Sequence, residues 1–139
     1  MNKTRAIKEH WTAVAELGCI ICQRPAEVAH CHGGSISDQL PRQFHPGMGQ
    51  KQNHWLVLPI CPEHHRVGPE SLDGGSVRDW ERRHGSQIDF LMAVSYRLQY
   101  SVFDRAGVPE SVYQSIHRPH TAQPQPNVTD ALGRAEESQ

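Results

Sequence analysis

Two short motifs separated by thirty-eight residues constrain this chain more than any other feature: Cys19-x2-Cys22 and Cys61-x2-His64. Each places two soft or borderline metal donors one tight turn apart, so the two together can close a tetrahedral zinc site with no position left open for chemistry. A site of that kind is structural. The competing readings are weaker. A redox Cys-x2-Cys, as in a thiol oxidoreductase using Cys19 and Cys22, needs no Cys-x2-His partner and sits on a βαβ pattern that this sequence lacks. Two disulfides would suit a secreted chain, but Met1-Asn2-Lys3-Thr4-Arg5 leads into an amphipathic segment and not a signal peptide. The expected location is therefore the cytoplasm.

With 139 residues, a single domain is expected, and with 37% hydrophobic residues and only three each of Phe, Tyr and Trp its core should be lean. Bound zinc would compensate, so chelation is expected to unfold the chain. No run approaches the ~18 apolar residues of a membrane span. The net charge of -1 is unusual for a nucleic-acid binder, because phosphate neutralisation supplies most of the affinity. DNA binding would then need a local basic face or a partner.

Along the chain, Ile7, Trp11, Val14 and Leu17 recur at helical spacing and predict a helix over 4–17, stopped by Gly18 so that Cys19 enters a knuckle directly. Val28 to His32 reads as a strand. The stretch from Gly33 to Asn53, rich in Gly, Ser, Pro and Gln, reads as one long loop without regular structure. His54-Trp55-Leu56-Val57-Leu58-Pro59-Ile60 reads as a second strand that pairs with the first and leads into Cys61, where a helix begins. Asp73-Gly74-Gly75-Ser76 signals a turn or helix start. Val77, Trp80 and Arg83 then define a short helix ending at Gly85, and a second helix spans about Ser86 to Tyr100 with Ile88, Leu91, Met92 and Tyr96 on its buried side. Beyond about Pro119 there is no periodic apolar face, and disorder is expected over 119–139.

Four histidines close to these motifs, His30, His32, His54 and His65, are left over by the structural site. His30 and His32, two apart on a strand, project from one face, while Ala29 and Cys31 face the other, which makes Cys31 a small buried hydrophobe. His65 follows a zinc ligand at the start of a helix and must point away from the zinc. With His54, these residues suggest a hydrolytic centre beside the zinc scaffold; the alternative is polar histidines satisfied by backbone groups.

Over about residues 10–100 the chain resembles the HNH, or His-Me finger, nucleases. Within them it is similar to the phage recombination-enhancement nucleases of the RecA-dependent Ref type. The resemblance is carried by Gly18-Cys19-Ile20-Ile21-Cys22, Pro25-Ala26-Glu27-Val28-Ala29-His30, Gly47-Met48-Gly49-Gln50, His54-Trp55-Leu56-Val57-Leu58-Pro59-Ile60-Cys61-Pro62-Glu63-His64-His65-Arg66 and Trp80-Glu81-Arg82-Arg83-His84-Gly85. It implies an α+β fold with a zinc-stabilised ββα-metal core over 19–72, an N-terminal helix and C-terminal helices over about 76–103, all in one domain of residues 1–118. It also implies DNA phosphodiester hydrolysis in phage recombination or DNA processing, with DNA and a RecA filament as partners. In the implied site His30 is the general base, His65 holds a catalytic Mg²⁺ or Mn²⁺ with His32, and His54, or Asn53 beside it, takes the middle position. Zinc on Cys19, Cys22, Cys61 and His64 is structural.

In two respects the chain departs from the family pattern. Where these nucleases often carry an Asp or His ligand just before the general base, this chain has Ala29, so His32, Glu27 or water would have to substitute. The long basic N-terminal arm of some RecA-dependent relatives is also missing. Arg24, Arg42, Lys51, Arg66, Arg78, Arg82 and Arg83 are interspersed with acids and read as a mixed surface giving weak, salt-sensitive, sequence-tolerant DNA binding. Trp11, Trp55 and Trp80 read as core. The alternative function is a non-catalytic zinc module that binds DNA or a recombination protein.

Overall fold

The structure is a computed structural model that describes residues 3–46 and 53–117. The expectations for Gly47 to Gln50, Lys51 and the tail after Pro119 lie outside the described residues. Among the described residues ten elements follow in order: α1 (Lys3–Ala15), β1 (Glu27–His30), α2 (Gly34–Gln39), a 3₁₀ turn (Arg42–Phe44), β2 (Val57–Ile60), α3 (Pro62–His65), α4 (Val77–His84), α5 (Gln87–Leu98), α6 (Val102–Ala106) and α7 (Glu110–His117). The chain is α+β, with helices packed around one small sheet.

β1 and β2 pair antiparallel with Glu27 opposite Ile60, Val28 opposite Pro59, Ala29 opposite Leu58 and His30 opposite Val57. Every residue of β2 is buried, which fits its continuous apolar run. Pro59 is tolerated because this is a two-stranded sheet and its missing N–H faces no third strand. α1 and α5 pack on the hairpin, and Val14, Leu58, Ile60, Trp80, Leu91 and Phe103 lie fully buried in the shared core. Burying such a side chain contributes about 1.5–3 kcal/mol relative to leaving it exposed. Three helices begin alike: the side chains of Ser76, Ser86 and Ser101 accept hydrogen bonds from the backbone N–H groups of Asp79, Asp89 and Asp104, satisfying a helix donor that has no partner within its own helix.

Several expectations need correction. α1 ends at Ala15, and its most deeply buried side chains are His10 and Val14, with Ile7, Trp11 and Leu17 partly exposed. The stretch after Gly33 contains α2 and a 3₁₀ turn instead of continuous loop, because Ile36, Leu40 and Phe44 recur every fourth residue and all three are buried. At Gly34, φ is +47°, and a Cβ would lie 2.2 Å from Glu81 Oε1, so the residue that looked like a breaker permits a close approach. The residues 53–56 turn before β2 begins at Val57. Trp55 therefore lies in this turn and packs on His10, with ring centroids 4.8 Å apart. The expected helix to Tyr100 stops when Gln99 turns left-handed at φ 68°, and Tyr96 is 72% exposed where burial was expected. Phe90, Ala93 and Val94 are buried in α5.

His10 is the most unusual member of the core. Its Nε2 donates to the Trp55 carbonyl at 3.1 Å, which leaves Nδ1 to accept from the Tyr100 hydroxyl at 2.6 Å. Burial, opposed by the Trp55 carbonyl and aided by Arg105, holds its pKa below the ordinary 6.5. Since the unfolded chain binds this proton more tightly, His10 costs no stability above the ordinary histidine range and an increasing amount as pH falls below 6.5 towards its own lower pKa. Thermal unfolding at pH 5 and 7.5 should therefore show a smaller acid-induced drop in His10→Gln than in the parent. Zinc-ligand protonation is common to both proteins, so an equal drop in the two would refute the assignment.

Candidate metal centre and histidine cluster

Two knuckles from distant parts of the chain meet at one end of the hairpin. In the first, Gly18 takes a positive φ of 81°, and the loop closes through Cys19 N to Arg24 O at 2.8 Å and Gln23 N to Cys19 O at 2.8 Å. The Ile21 N–H points at Cys19 Sγ, 3.4 Å away. Ile20 N donates to Pro59 O at 2.9 Å, tying this knuckle to β2. In the second, Cys61 precedes the single-turn α3, with Pro62 in its first turn, where a missing N–H does no harm.

The donor atoms of Cys19, Cys22, Cys61 and His64 all lie within 4.8 Å of one another. Tetrahedral zinc with bonds of about 2.3 Å to sulfur needs thiolates about 3.8 Å apart. The Cys22 and Cys61 sulfurs are 3.6 Å apart, and His64 Nδ1 lies 3.2 Å from Cys61 Sγ and 4.0 Å from Cys19 Sγ. The residues fit a metal ion such as zinc. Burial pushes the Cys61 thiol up to about 11, whereas the Arg24 backbone N–H lowers the Cys22 thiol; a cation would stabilise the thiolates together. Cys31 takes no part in this cluster. It is buried with Ala29 on the core side, and burial raises its thiol well above the usual range.

His65 faces away from these donors, as its place after His64 requires. Its Nδ1 lies 2.6 Å from Glu27 Oε2 and its Nε2 lies 2.9 Å from Asp73 Oδ2. The other Asp73 oxygen, Oδ1, lies 2.7 Å from His32 Nε2. Arg66 Nε also donates to Glu27 Oε2 at 2.6 Å. On the neighbouring part of the face, His30 Nε2 lies 3.0 Å from His54 Nδ1, and Trp11 packs in T-shaped contact with both rings. Trp11 Nε1 donates to the His54 carbonyl at 2.8 Å. Burial first, and then His54, lowers the His30 pKa below 6.5; Asp73 opposes this, and His65 and His32 act in the same direction as burial. All four histidines thus share one electrostatic environment.

The fold brings together His30, His54, His32 and His65, but as two linked groups. β1 ends at His30, so His32 is no longer in register with it and turns to Asp73. Asn53 does not join the cluster: it accepts from Trp55 N at 2.9 Å and donates to the Ala106 carbonyl at 3.1 Å, bracing the turn that presents His54.

Three contributors went unassigned in the sequence reading. In the sequence Asp73 reads only as part of a turn signal. Its backbone N–H donates to the His65 carbonyl at 2.8 Å, and Gly74 and Gly75 let the loop fold tightly, since a Cβ would lie 2.2 Å from Gly68 O and 1.8 Å from Pro69 O respectively. Gln87 is fully buried and clamps the backbone of His32, accepting from its N–H at 3.0 Å and donating to its carbonyl at 2.8 Å. Glu81 in turn accepts from Gln87 N, Gln87 Nε2 and both donors of Ser35. Removing the carboxamide in Gln87→Ala leaves backbone groups unpaired, at about 1–3 kcal/mol each. A urea-unfolding midpoint unchanged from the parent would contradict this role.

No helix among the described residues is long and apolar enough to cross a membrane. No family model, curated protein or solved structure matches the chain.

Proposed function

We propose that this chain is a metal-dependent endonuclease of the HNH, or His-Me finger, type that hydrolyses DNA phosphodiester bonds. The observation that carries the reading is the pairing of His30 with His54 beside His65, a residue whose neighbour His64 belongs to the Cys3His cluster. A structural metal on one side of α3 would hold a catalytic centre on the other.

In this reading His30, held proton-accepting by burial, takes the proton of the attacking water. A new bond forms from the water oxygen to phosphorus as the bond to the leaving sugar oxygen breaks, and solvent protonates that oxygen. His54 orients the His30 ring, and Trp11 limits the motion of both. A divalent cation such as Mg²⁺ or Mn²⁺, held by His65 and His32, would stabilise the negative charge that grows on the phosphate oxygens. Among the described residues, Arg24, Arg66, Arg78 and Arg82 each lie against a carboxylate, which weakens any collective field. Binding is therefore expected to be weak, salt-sensitive and sequence-tolerant. The resemblance to phage recombination nucleases makes a RecA filament the partner to test.

Ala29 favours one rival. It is fully buried opposite Leu58, so the position that in these nucleases often carries a metal ligand faces the core, as it could in a non-catalytic zinc module that binds DNA or a protein. Supercoiled and single-stranded DNA, incubated with and without Mg²⁺ or Mn²⁺ and with and without RecA filaments, separate the two. Metal-dependent nicking supports the nuclease; zinc-loaded, folded protein that cuts nothing under any condition supports the module.

A further inference from the structure

We infer that the aromatic cleft between α5, α6 and α7 stacks an unpaired base of single-stranded DNA, and that Arg105 holds the phosphate beside it. The inference rests on the proposed function in taking DNA as the ligand, and it adds the strandedness of the bound segment.

Arg105 is set apart by its surroundings. It is exposed, and its Cζ lies over two rings, 4.1 Å from the centroid of Tyr100 and 5.5 Å from that of Trp55. Among the described residues no carboxylate pairs with it, whereas Arg24, Arg66, Arg78 and Arg82 are each paired. The rings hold the guanidinium by its face, which leaves its in-plane N–H groups open for the bidentate hydrogen bonds that a phosphate accepts. Tyr100 is itself fixed, since its hydroxyl donates to His10 Nδ1 at 2.6 Å. A cation held in place before its ligand arrives loses less freedom on binding.

The position of Arg105 suits a strand running from the His30–His54 pair. Asn53 donates to the Ala106 carbonyl at 3.1 Å and accepts from Trp55 N at 2.9 Å, so the end of α6 is bonded to the turn that presents His54. Tyr100, under the Arg105 guanidinium, also lines the cleft. Cation and cleft are therefore contiguous.

The cleft measures about 250 Å³ and is lined by Met92, Tyr96, Tyr100, Phe103 and Tyr113 among others. That is below the roughly 300–1,000 Å³ of pockets that enclose drug-sized ligands, so it suits a single ring system. Phe103 is fully buried and Tyr96 is 72% exposed, so one ring of the lining belongs to the core and another stands open to solvent. The hydroxyls at its edge are committed within the protein: Ser95 Oγ donates to the Leu91 carbonyl and accepts from Val102 N, and Ser101 Oγ accepts from Asp104 N. What remains is ring surface with little to read a base edge, and stacking of that kind tolerates any base. In a duplex the faces of a base are covered by its neighbours, so only an unpaired base can enter. An apolar side chain would fill the cleft as well, but it would leave Arg105 without the anion that a nucleotide brings.

The test uses full-length, zinc-loaded protein without added divalent cation, and labelled single-stranded, duplex and abasic oligodeoxynucleotides of one length, with binding followed by fluorescence anisotropy. Tyr96→Ala is expected to weaken single-strand binding by about 5–150-fold, the usual effect of losing one stacked base. Tyr96→Phe, which keeps the ring, should bind as the parent does. Binding of the duplex and of the abasic strand should not respond to Tyr96→Ala. Arg105→Gln should lower the dependence of log K on log salt for single strands by about 0.7, the share of one phosphate contact, whereas Arg78→Gln should not change it. Circular dichroism checks that each variant is folded. Single-strand affinity unchanged in Tyr96→Ala, or reduced equally for duplex and abasic strands, overturns the inference. So does a parent that binds no single strand and instead self-associates through Tyr96 in sedimentation. Single-strand binding that depends on Tyr96 and Arg105, without cleavage in Mg²⁺ or Mn²⁺, would sustain the inference and defeat the nuclease reading; cleavage by a protein whose Tyr96→Ala and Arg105→Gln variants bind single strands normally would do the reverse.

Discussion

Replacing His30 with alanine is expected to lower DNA cleavage by about 10²–10⁴-fold, the usual contribution of a positioned general base, while zinc content and fold survive. The expected sparing of the fold follows from where His30 sits. It is the last residue of β1, its ring is partly exposed, and its side-chain bond is to the exposed His54. The backbone pairing of His30 with Val57 does not depend on the side chain. The readouts are the nicking rate of supercoiled DNA, zinc per chain and the far-ultraviolet circular dichroism spectrum. Cleavage within a fewfold of the parent would remove His30 from the mechanism and with it the main support for the nuclease reading.

Loss of the knuckle metal should have the opposite profile, costing the fold itself. Structural zinc in small domains contributes apparent binding energies of about 10–16 kcal/mol, as large as the roughly 5–15 kcal/mol by which a whole domain is stable. Here the metal donors join the end of α1, through Gly18 and Cys19, to the exit of β2 at Cys61. Cys19 and Cys61 belong to the same buried cluster as Val14, Leu58 and Ile60. Strong chelation, or Cys61→Ala, is expected to produce cooperative loss of helical circular dichroism at ambient temperature, reversed in the chelated parent by added zinc. A zinc-free protein that keeps its spectrum and a sharp thermal transition would show that the apolar core suffices and the cluster is dispensable.

How much could be read in advance differs from element to element, for physical reasons. The knuckles were legible because ligand spacing is local: two residues between donors define a turn whatever surrounds it. β2 was legible as a continuous apolar run, and α4 as a periodic segment between Ser76 and Gly85. The Ser-x-x-Asp pattern at Ser76, Ser86 and Ser101 also marks helix starts, and the last of these marks α6 just beyond the helix expected to reach Tyr100. α2 was hidden because its stabilisation is remote. Its six residues, Gly-Ser-Ile-Ser-Asp-Gln, carry one large apolar side chain, Ile36, and its first turn is held by Glu81, forty-six residues away. Helical propensity alone would not form so short a segment. The buried His10 was missed for a related reason: its partners, the Trp55 carbonyl and the Tyr100 hydroxyl, lie 45 and 90 residues distant.

The candidate site divides along the same line. The chain order alone dictates that His64 and His65 leave one turn of helix in different directions, since adjacent helical residues do not share a face. It also dictates that Ala29 and His30 lie on opposite sides of a strand. Nothing local, however, says that Asp73 will stand between His65 and His32, that Glu27 will receive the other nitrogen of His65, or that Gln87 will hold the His32 backbone. Those pairings span from 8 to 55 residues of sequence, and a polar side chain carries no periodic signal announcing its partner. Donor chemistry and element type are properties of short segments. Which polar groups meet is decided by how helices and hairpin pack, because burial leaves each of them only a few places to find a partner.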